Sequence, residues 1–350
     1  MKKDDAISII RVSAMIMIVI FHCFCYNAGI WGIGNPIYHS RFIAVIKDFS
    51  YVGLNLFVLI SGLLFSRIEA TGKYNDTLKF IINKFKRLLI PYLVWGILLC
   101  IIFKGLENPI NIFYGISHLW FLLMLFEVFT ITILTRFIWK RQNIKKSIMI
   151  LLVFVLFYEF ITKLNIMFNI PINKSLLGIQ KTSCYLPVFY TGMLVEKFKI
   201  YKWFRLNKFV TLIIIFICFF VTLLTCYKTY SFSRLYQWFP PFALFVFAYI
   251  FLRDYQIRKH KEKFFITLLD KYSLSIYIIH HILIFMCVYY VNDFKLMMHS
   301  HPFFSPLVMF ITVFLLSFLI SVVLSYLPGA KYIIGTKGND LKYFRQKDLP

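Results

Sequence analysis

The chain is poor in charge, and acidic side chains are the scarcest. Only 15% of its 350 residues are Asp, Glu, Lys or Arg, and just 15 are acidic. With 60% hydrophobic residues and a mean hydropathy of +0.75, the composition excludes an ordinary soluble domain. Polar linkers are missing too: no Pro/Gly/Ser-rich stretch separates the apolar segments, so one integral-membrane unit is expected over 1–330, followed by a short basic tail over 331–350. The seven cysteines, Cys23, Cys25, Cys100, Cys184, Cys218, Cys226 and Cys287, lack the spacing of a zinc site or a disulfide framework. They read as buried thiols, with Cys23, beside His22, a minor nucleophile candidate. No repeat of 20 to 50 residues points to a solenoid. No cleavable leader pattern precedes the first apolar segment, which is expected to remain as a signal anchor.

Long apolar runs are abundant. About ten stretches have the length and hydropathy of membrane-spanning helices, centred on 7–29, 49–66, 88–104, 118–138, 147–163, 182–196, 209–227, 236–252, 269–291 and 305–327. The expected fold class is therefore all-α, a polytopic membrane protein. A formal net charge of +24 would point to nucleic acid in a soluble protein, but its distribution points to topology. With a cytoplasmic N-terminus, 30 of the 39 Lys and Arg residues fall on cytoplasmic segments and span ends. This bias follows the positive-inside rule and predicts both termini in the cytoplasm. The expected partner is a lipid bilayer, not nucleic acid.

Several spans carry residues that kink or break helices. Gly53 and Ser61-Gly62 flank the second span, Pro91 and Gly96 enter the third, and Pro187 and Gly192 interrupt the sixth. They read as kinks or span ends, or as lining for a cavity.

Ionisable groups inside spans are expensive and face a cavity or a partner. Arg11 and His22 share the first span. Eleven helical steps bring them back to nearly the same face, about 16 Å apart along the axis, which reads as a polar shaft. Lys84, Lys86 and Arg87 end at Pro91, where the third span begins; they suit either topology-setting anchoring or phosphate binding, for which Arg offers a bidentate fork and Lys a point charge. His118 and Trp120 stand at the outer entrance of the fourth span, with Glu127 half a turn around from His118 and not expected to act with it. Ser273, Tyr277 and His280, at i, i+4 and i+7, share one stripe, with His281 facing elsewhere.

Together these elements resemble the acyltransferase 3 family of polytopic membrane acyltransferases. The resemblance is carried by Arg11-x10-His22, by Tyr51-Val-Gly-Leu-Asn-Leu-Phe-Val-Leu-Ile-Ser61-Gly62, by Lys84-Phe-Lys-Arg87-Leu-Leu-Ile-Pro91, by His118-Leu-Trp120-Phe-Leu and by Tyr272-Ser-Leu-Ser-Ile-Tyr277-Ile-Ile-His280. They occur in family order over most of the chain. The resemblance implies a ten-span enzyme of the bacterial cytoplasmic membrane. Its donor would be cytoplasmic acyl-CoA, commonly acetyl-CoA, and its acceptor a hydroxyl of an extracytoplasmic or lipid-linked glycan such as O-antigen, capsule or exopolysaccharide. Proteins of polysaccharide biosynthesis would be partners, and no metal is implied. The family's important arginine and histidine fall on Arg11 and His22, and its Arg-x-x-Arg pattern on Lys84 and Arg87, with Lys replacing the first Arg. Relatives often carry an acid three residues before the first-span Arg, where this chain has Ser8, so the partner of Arg11 is left open.

The roles expected from this resemblance are specific. Lys84, Lys86 and Arg87 hold the CoA phosphates, and Arg11 orients the donor. His22 takes the proton of the attacking hydroxyl, a role that suits imidazole because its ordinary pKa is about 6.5. Tyr277, Ser61 and His280 are candidate oxyanion donors, and His118 and Trp120 candidate substrate-binding groups. Direct transfer is preferred to a covalent relay because no nucleophile–base pair is evident. The alternative is a polysaccharide or small-molecule transporter, which needs the same intramembrane charges.

Overall fold

A computed structural model describes residues 4–27, 40–102, 108–141, 143–170, 175–204, 207–228, 235–253, 260–301 and 304–335. Among them every regular element is helical. The chain runs through α1 (Asp5–Asn27), α2 (Ser40–Glu69), α3 (Thr77–Lys84), a π-helical turn (Phe85–Leu89) and α4 (Ile90–Ile102). It continues through α5 (Trp120–Leu134), α6 (Arg136–Trp139), α7 (Ile144–Met167), α8 (Ile179–Lys197), α9 (Lys208–Lys228) and α10 (Leu235–Arg253). It closes with α11 (His260–Tyr290), α12 (Asn292–Ser300), α13 (Ser305–Ser325) and α14 (Ala330–Ile333). Side-chain caps set several boundaries: Asp76 accepts from the Lys79 amide at 2.9 Å and Asn143 from that of Lys146 at 3.0 Å, satisfying amides that a helix start leaves bare.

Each of the ten expected spans overlaps one of these helices. Seven described segments are long and apolar enough to cross a membrane: Asp5–Cys25, Ser50–Glu69, Thr77–Ile102, Pro109–Leu134, Ile144–Met167, Lys263–Tyr290 and Ser305–Ser325. Lys208–Val221 and Pro240–Arg253 are apolar but shorter. The chain is thus a helical, multi-pass membrane protein.

Burial sorts the helices. The apolar window of α11 is 78% buried, whereas those of α7 and α13 are 17% and 22% buried. Protein surrounds α11, while α7 and α13 turn apolar side chains outward, as helices do against lipid. α1 packs between α2 and α11, α2 lies against α8, and α13 covers α11.

An ion network ties one end of this bundle. Arg67 Nη1 bonds Asp4 at 3.0 Å, and Arg67 Nη2 bonds Glu196 at 2.9 Å and the Tyr249 hydroxyl at 3.0 Å, joining the start of α1 to the far ends of α2 and α8 and to α10. Nearby, Arg136 clamps Glu69 at 2.5 Å. The C-terminal segment folds back toward the same region: Trp95 Nε1 donates to Ile333 O at 2.8 Å and Arg87 Nε to Gly335 O at 3.2 Å. The boundary expected at residue 330 therefore falls inside a packed segment, with Ile334 fully buried; the rest of the expected tail, 336–350, lies outside the described residues.

The glycines expected to kink the second and sixth spans do something else. α2 and α8 run unbroken through Gly62 and Gly192, and the two residues meet at one crossing. A Cβ on Gly62 would stand 1.9 Å from Phe189 O, and one on Gly192 2.1 Å from Leu59 O. Small residues here let two backbones touch, which is how membrane helices gain packing without a hydrophobic drive. No disulfide joins the described cysteines; the Cys226 side chain lies outside the described residues.

Candidate functional site

The π-helical turn Phe85–Leu89 inserts one extra residue per turn into the third span, a distortion common at functional sites. Lys84 and Arg87 on this stretch both line a cavity of about 520 Å³, a volume typical of small-molecule sites. The opposite walls come from α1, α2, α5 and α11, through Ser8, Arg11, Ser61, Phe121, Asp270 and Tyr277 among others. Lys84 Nζ sits 3.4 Å from the centroid of the Phe129 ring, a cation–π contact. Neither Lys84 nor Arg87 makes an ion pair among the described residues. Lys86 is exposed and does not line the cavity. Tyr74, between the second and third spans, also lines the wall; burial pushes its phenol above the ordinary value, and the charge of Arg87 opposes the shift.

Arg11 has a partner that its own helix does not supply. Its Nη1 bonds Asp270 Oδ1 of α11 at 2.6 Å, and Ser8 donates to Asp270 Oδ2 at 3.1 Å. The acid is therefore provided from 259 residues away, and Ser8 buttresses it instead of replacing it. Asp270 is buried while Arg11 is partly open to the cavity. Asp270→Ala is expected to destabilise the fold by about 2 kcal/mol, below the 3–5 of a fully buried broken pair because Arg11 keeps some solvent. An unchanged thermal midpoint in detergent would show that the pair contributes no stability.

Beyond the inner wall lie four imidazoles. Tyr277 joins the two regions: it lines the cavity, its hydroxyl donates to the His118 carbonyl, and its ring lies 5.6 Å from His118 and 5.7 Å from His280. His22 Nδ1 is 2.7 Å from His280 Nε2, with the two rings stacked at 4.9 Å. His118 is turned inward by an elbow in which Gly115 and Ser117 adopt φ of 92° and 45°, a left-handed conformation glycine takes at little cost. Its ring stacks on His281 at 4.3 Å and 9°.

His281 does not share the stripe of Ser273, Tyr277 and His280, yet it joins the cluster from its own face, through His118. Consecutive residues project about 100° apart on a helix, and protein meets α11 on both sides. His280 turns to α1 and His281 to the turn before α5. Among the described residues no group of three or more His, Cys, Asp or Glu is arranged to hold a metal. His118 donates from Nε2 to Ile278 O at 3.0 Å, because a carbonyl only accepts. Its Nδ1 is buried and has no hydrogen-bond partner among the described residues.

The family model of the acyltransferase domain matches residues 4–326. The chain belongs to the acyltransferase 3 family. The match reaches from the start of α1 past the end of α13, so cavity and imidazole cluster both lie within it. No curated protein and no solved structure matches this acyltransferase.

Within the acyltransferase the remaining candidates separate. Ser61 lines the cavity in the part of its wall formed by α2. Trp120 stands apart, under Lys181 at 4.6 Å and 5.8 Å from Tyr185, and does not line the cavity. Glu127 accepts from Thr182 at 2.5 Å. Asp270, His281 and Tyr74 were not among the sequence candidates. For Asp270 a signal existed: an intramembrane arginine demands a counter-charge, and few acids are available.

Proposed function

We propose that this acyltransferase moves an acyl group, acetyl in the simplest case, from cytoplasmic acyl-CoA to a hydroxyl of an extracytoplasmic or lipid-linked glycan. Its setting would be a bacterial cytoplasmic membrane, with both termini in the cytoplasm and proteins of polysaccharide biosynthesis as partners. One observation carries the reading. Lys84 and Arg87, which have no carboxylate partner among the described residues, line a cavity whose wall includes Tyr277, and the Tyr277 ring also lies against His118 and His280 of the buried imidazole cluster. Cations without carboxylate partners suit the phosphates of a CoA donor. Lys86, outside the cavity, fits topology better than phosphate binding.

In the proposed step the thioester lies toward Tyr277 and the acceptor hydroxyl meets His22. The hydroxyl gives its proton to His22 as its oxygen attacks the thioester carbonyl. The new C–O bond forms, the C–S bond breaks, and the departing CoA sulfur receives the proton back from His22. The orphan Nδ1 of His118 is a buried acceptor that a substrate hydroxyl would satisfy. Tyr277 spends its hydroxyl hydrogen on a carbonyl, which leaves Ser61 as the less committed oxyanion donor.

Purified protein in bilayers, supplied with acetyl-CoA and a glycan acceptor, is expected to release free CoA and add an acetyl mass to the glycan. Transport of unmodified glycan without CoA release would sink the proposal. Arg87→Ala is expected to weaken acetyl-CoA binding by about 10- to 100-fold, the worth of a charge-assisted phosphate contact, with little change in kcat. A donor Kd equal to wild type would assign Arg87 to topology alone.

A further inference from the structure

We infer that His280 is a positioning residue that fixes which nitrogen of His22 accepts the proton. Its catalytic consequence rests on the acyl-transfer reading; the tautomer itself rests on hydrogen-bond geometry. His280 Nδ1 lies 3.1 Å from Ile276 O, four residues back on α11. A backbone carbonyl can only accept, so this nitrogen carries the hydrogen. A neutral imidazole has one N–H, and His280 Nε2 therefore presents a lone pair. That lone pair faces His22 Nδ1 at 2.7 Å, so His22 Nδ1 must be the donor. His22 Nε2 is left as the nitrogen with the lone pair, the one able to take a proton.

The order of control is a carbonyl, then His280, then His22. It has the logic of a base held by an orienting group, in which the orienter sets the tautomer and does not itself react. The device is local in origin. An i to i−4 bond inside α11 sets the state of His280 without any group from α1, and the packing of α1 on α11 passes it to His22. Of the neighbouring imidazoles, His118 commits Nε2 to Ile278 O, and the His281 ring meets His22 edge-on at 5.5 Å. His280 is fully buried, so water does not compete for its nitrogens. The same assignment removes His280 from the oxyanion donors, since its N–H already serves Ile276.

The test is solid-state nitrogen NMR of the full-length protein in bilayers, labelled with ¹⁵N-histidine, with His22 signals assigned by their loss in His22→Asn. Wild type is expected to show His22 protonated at Nδ1 and bare at Nε2. His280→Ala should release His22 into a mixture of tautomers, and His280→Gln, whose amide oxygen can accept in place of Nε2, should restore the single one. In acetyl-CoA turnover, His280→Ala should lower kcat by about 10²-fold or more with donor KM changed by less than about twofold, and His280→Gln should recover most of the loss. A wild-type His22 protonated at Nε2 overturns the assignment, even if the alanine variant does not fold. So does a His22 tautomer that His280→Ala leaves unchanged. If wild type shows the predicted tautomer and His280→Ala releases it, but no CoA is ever freed, the acyl-transfer reading fails and the hydrogen-bond assignment stands.

Discussion

His22→Ala is expected to abolish acyl transfer while donor binding survives. A general base contributes about 10² to 10⁴ in rate, which corresponds to about 3–5 kcal/mol of barrier, so turnover should fall at least about 100-fold. Donor affinity should be spared because the cations that suit CoA lie at Lys84 and Arg87, and even Arg11 stands about 16 Å along α1 from His22. The substitution also strips His280 Nε2 of its donor. An unmade buried hydrogen bond costs about 1–3 kcal/mol, and the folded fraction must be measured beside activity. The decisive experiment pairs acetyl-CoA titration by calorimetry with mass analysis of the acceptor. Turnover within tenfold of wild type would remove His22 from the chemistry, and lost donor binding would make it a structural residue.

The sequence makes individual polar groups legible because the membrane makes them rare. Arg11, His22, Lys84 and Arg87 stand out against apolar neighbours, and helical periodicity puts Arg11 and His22 on one face without any coordinates. Partners are what periodicity cannot supply. Asp270 reaches Arg11 across 259 residues, and nothing local to either span announces it. The same limit explains His281: a stripe of Ser273, Tyr277 and His280 describes one face of α11, whereas a helix this deeply buried uses more than one. Lys86 differs, since Lys84 and Arg87, three residues apart, share a helical face that Lys86 does not, and only those two line the cavity. The glycines were visible as residues that permit distortion. That Gly62 and Gly192 stand opposite each other is a fact of two helices, and neither sequence segment contains it.

The second large effect is structural and arises at that crossing. Gly62→Val or Gly192→Val is expected to prevent the native packing of α2 on α8. The added Cβ alone would lie 1.9 Å from Phe189 O or 2.1 Å from Leu59 O, and the atoms in the way are backbone, which has no rotamer to escape into. Overpacking a core with a methylene that side chains can dodge costs about 1–3 kcal/mol. Here the helices must separate along the crossing, so the loss should exceed about 4 kcal/mol, the range reserved for disrupted cores. Even Gly62→Ala should lower the thermal midpoint by about 8 °C or more, at about 2 °C per kcal/mol for a chain of this size. The two sites share one cost. Once α2 and α8 have moved apart for the first side chain, the second meets less resistance, so Gly62→Ala with Gly192→Ala should destabilise by clearly less than the sum of the single changes, as coupled neighbours do. Because α2 also carries Ser61 into the cavity wall, the separation should weaken acetyl-CoA binding in any fraction that remains folded. A midpoint within about 2 °C of wild type for Gly62→Ala, or strict additivity in the double variant, would mean that the helices do not meet at these glycines.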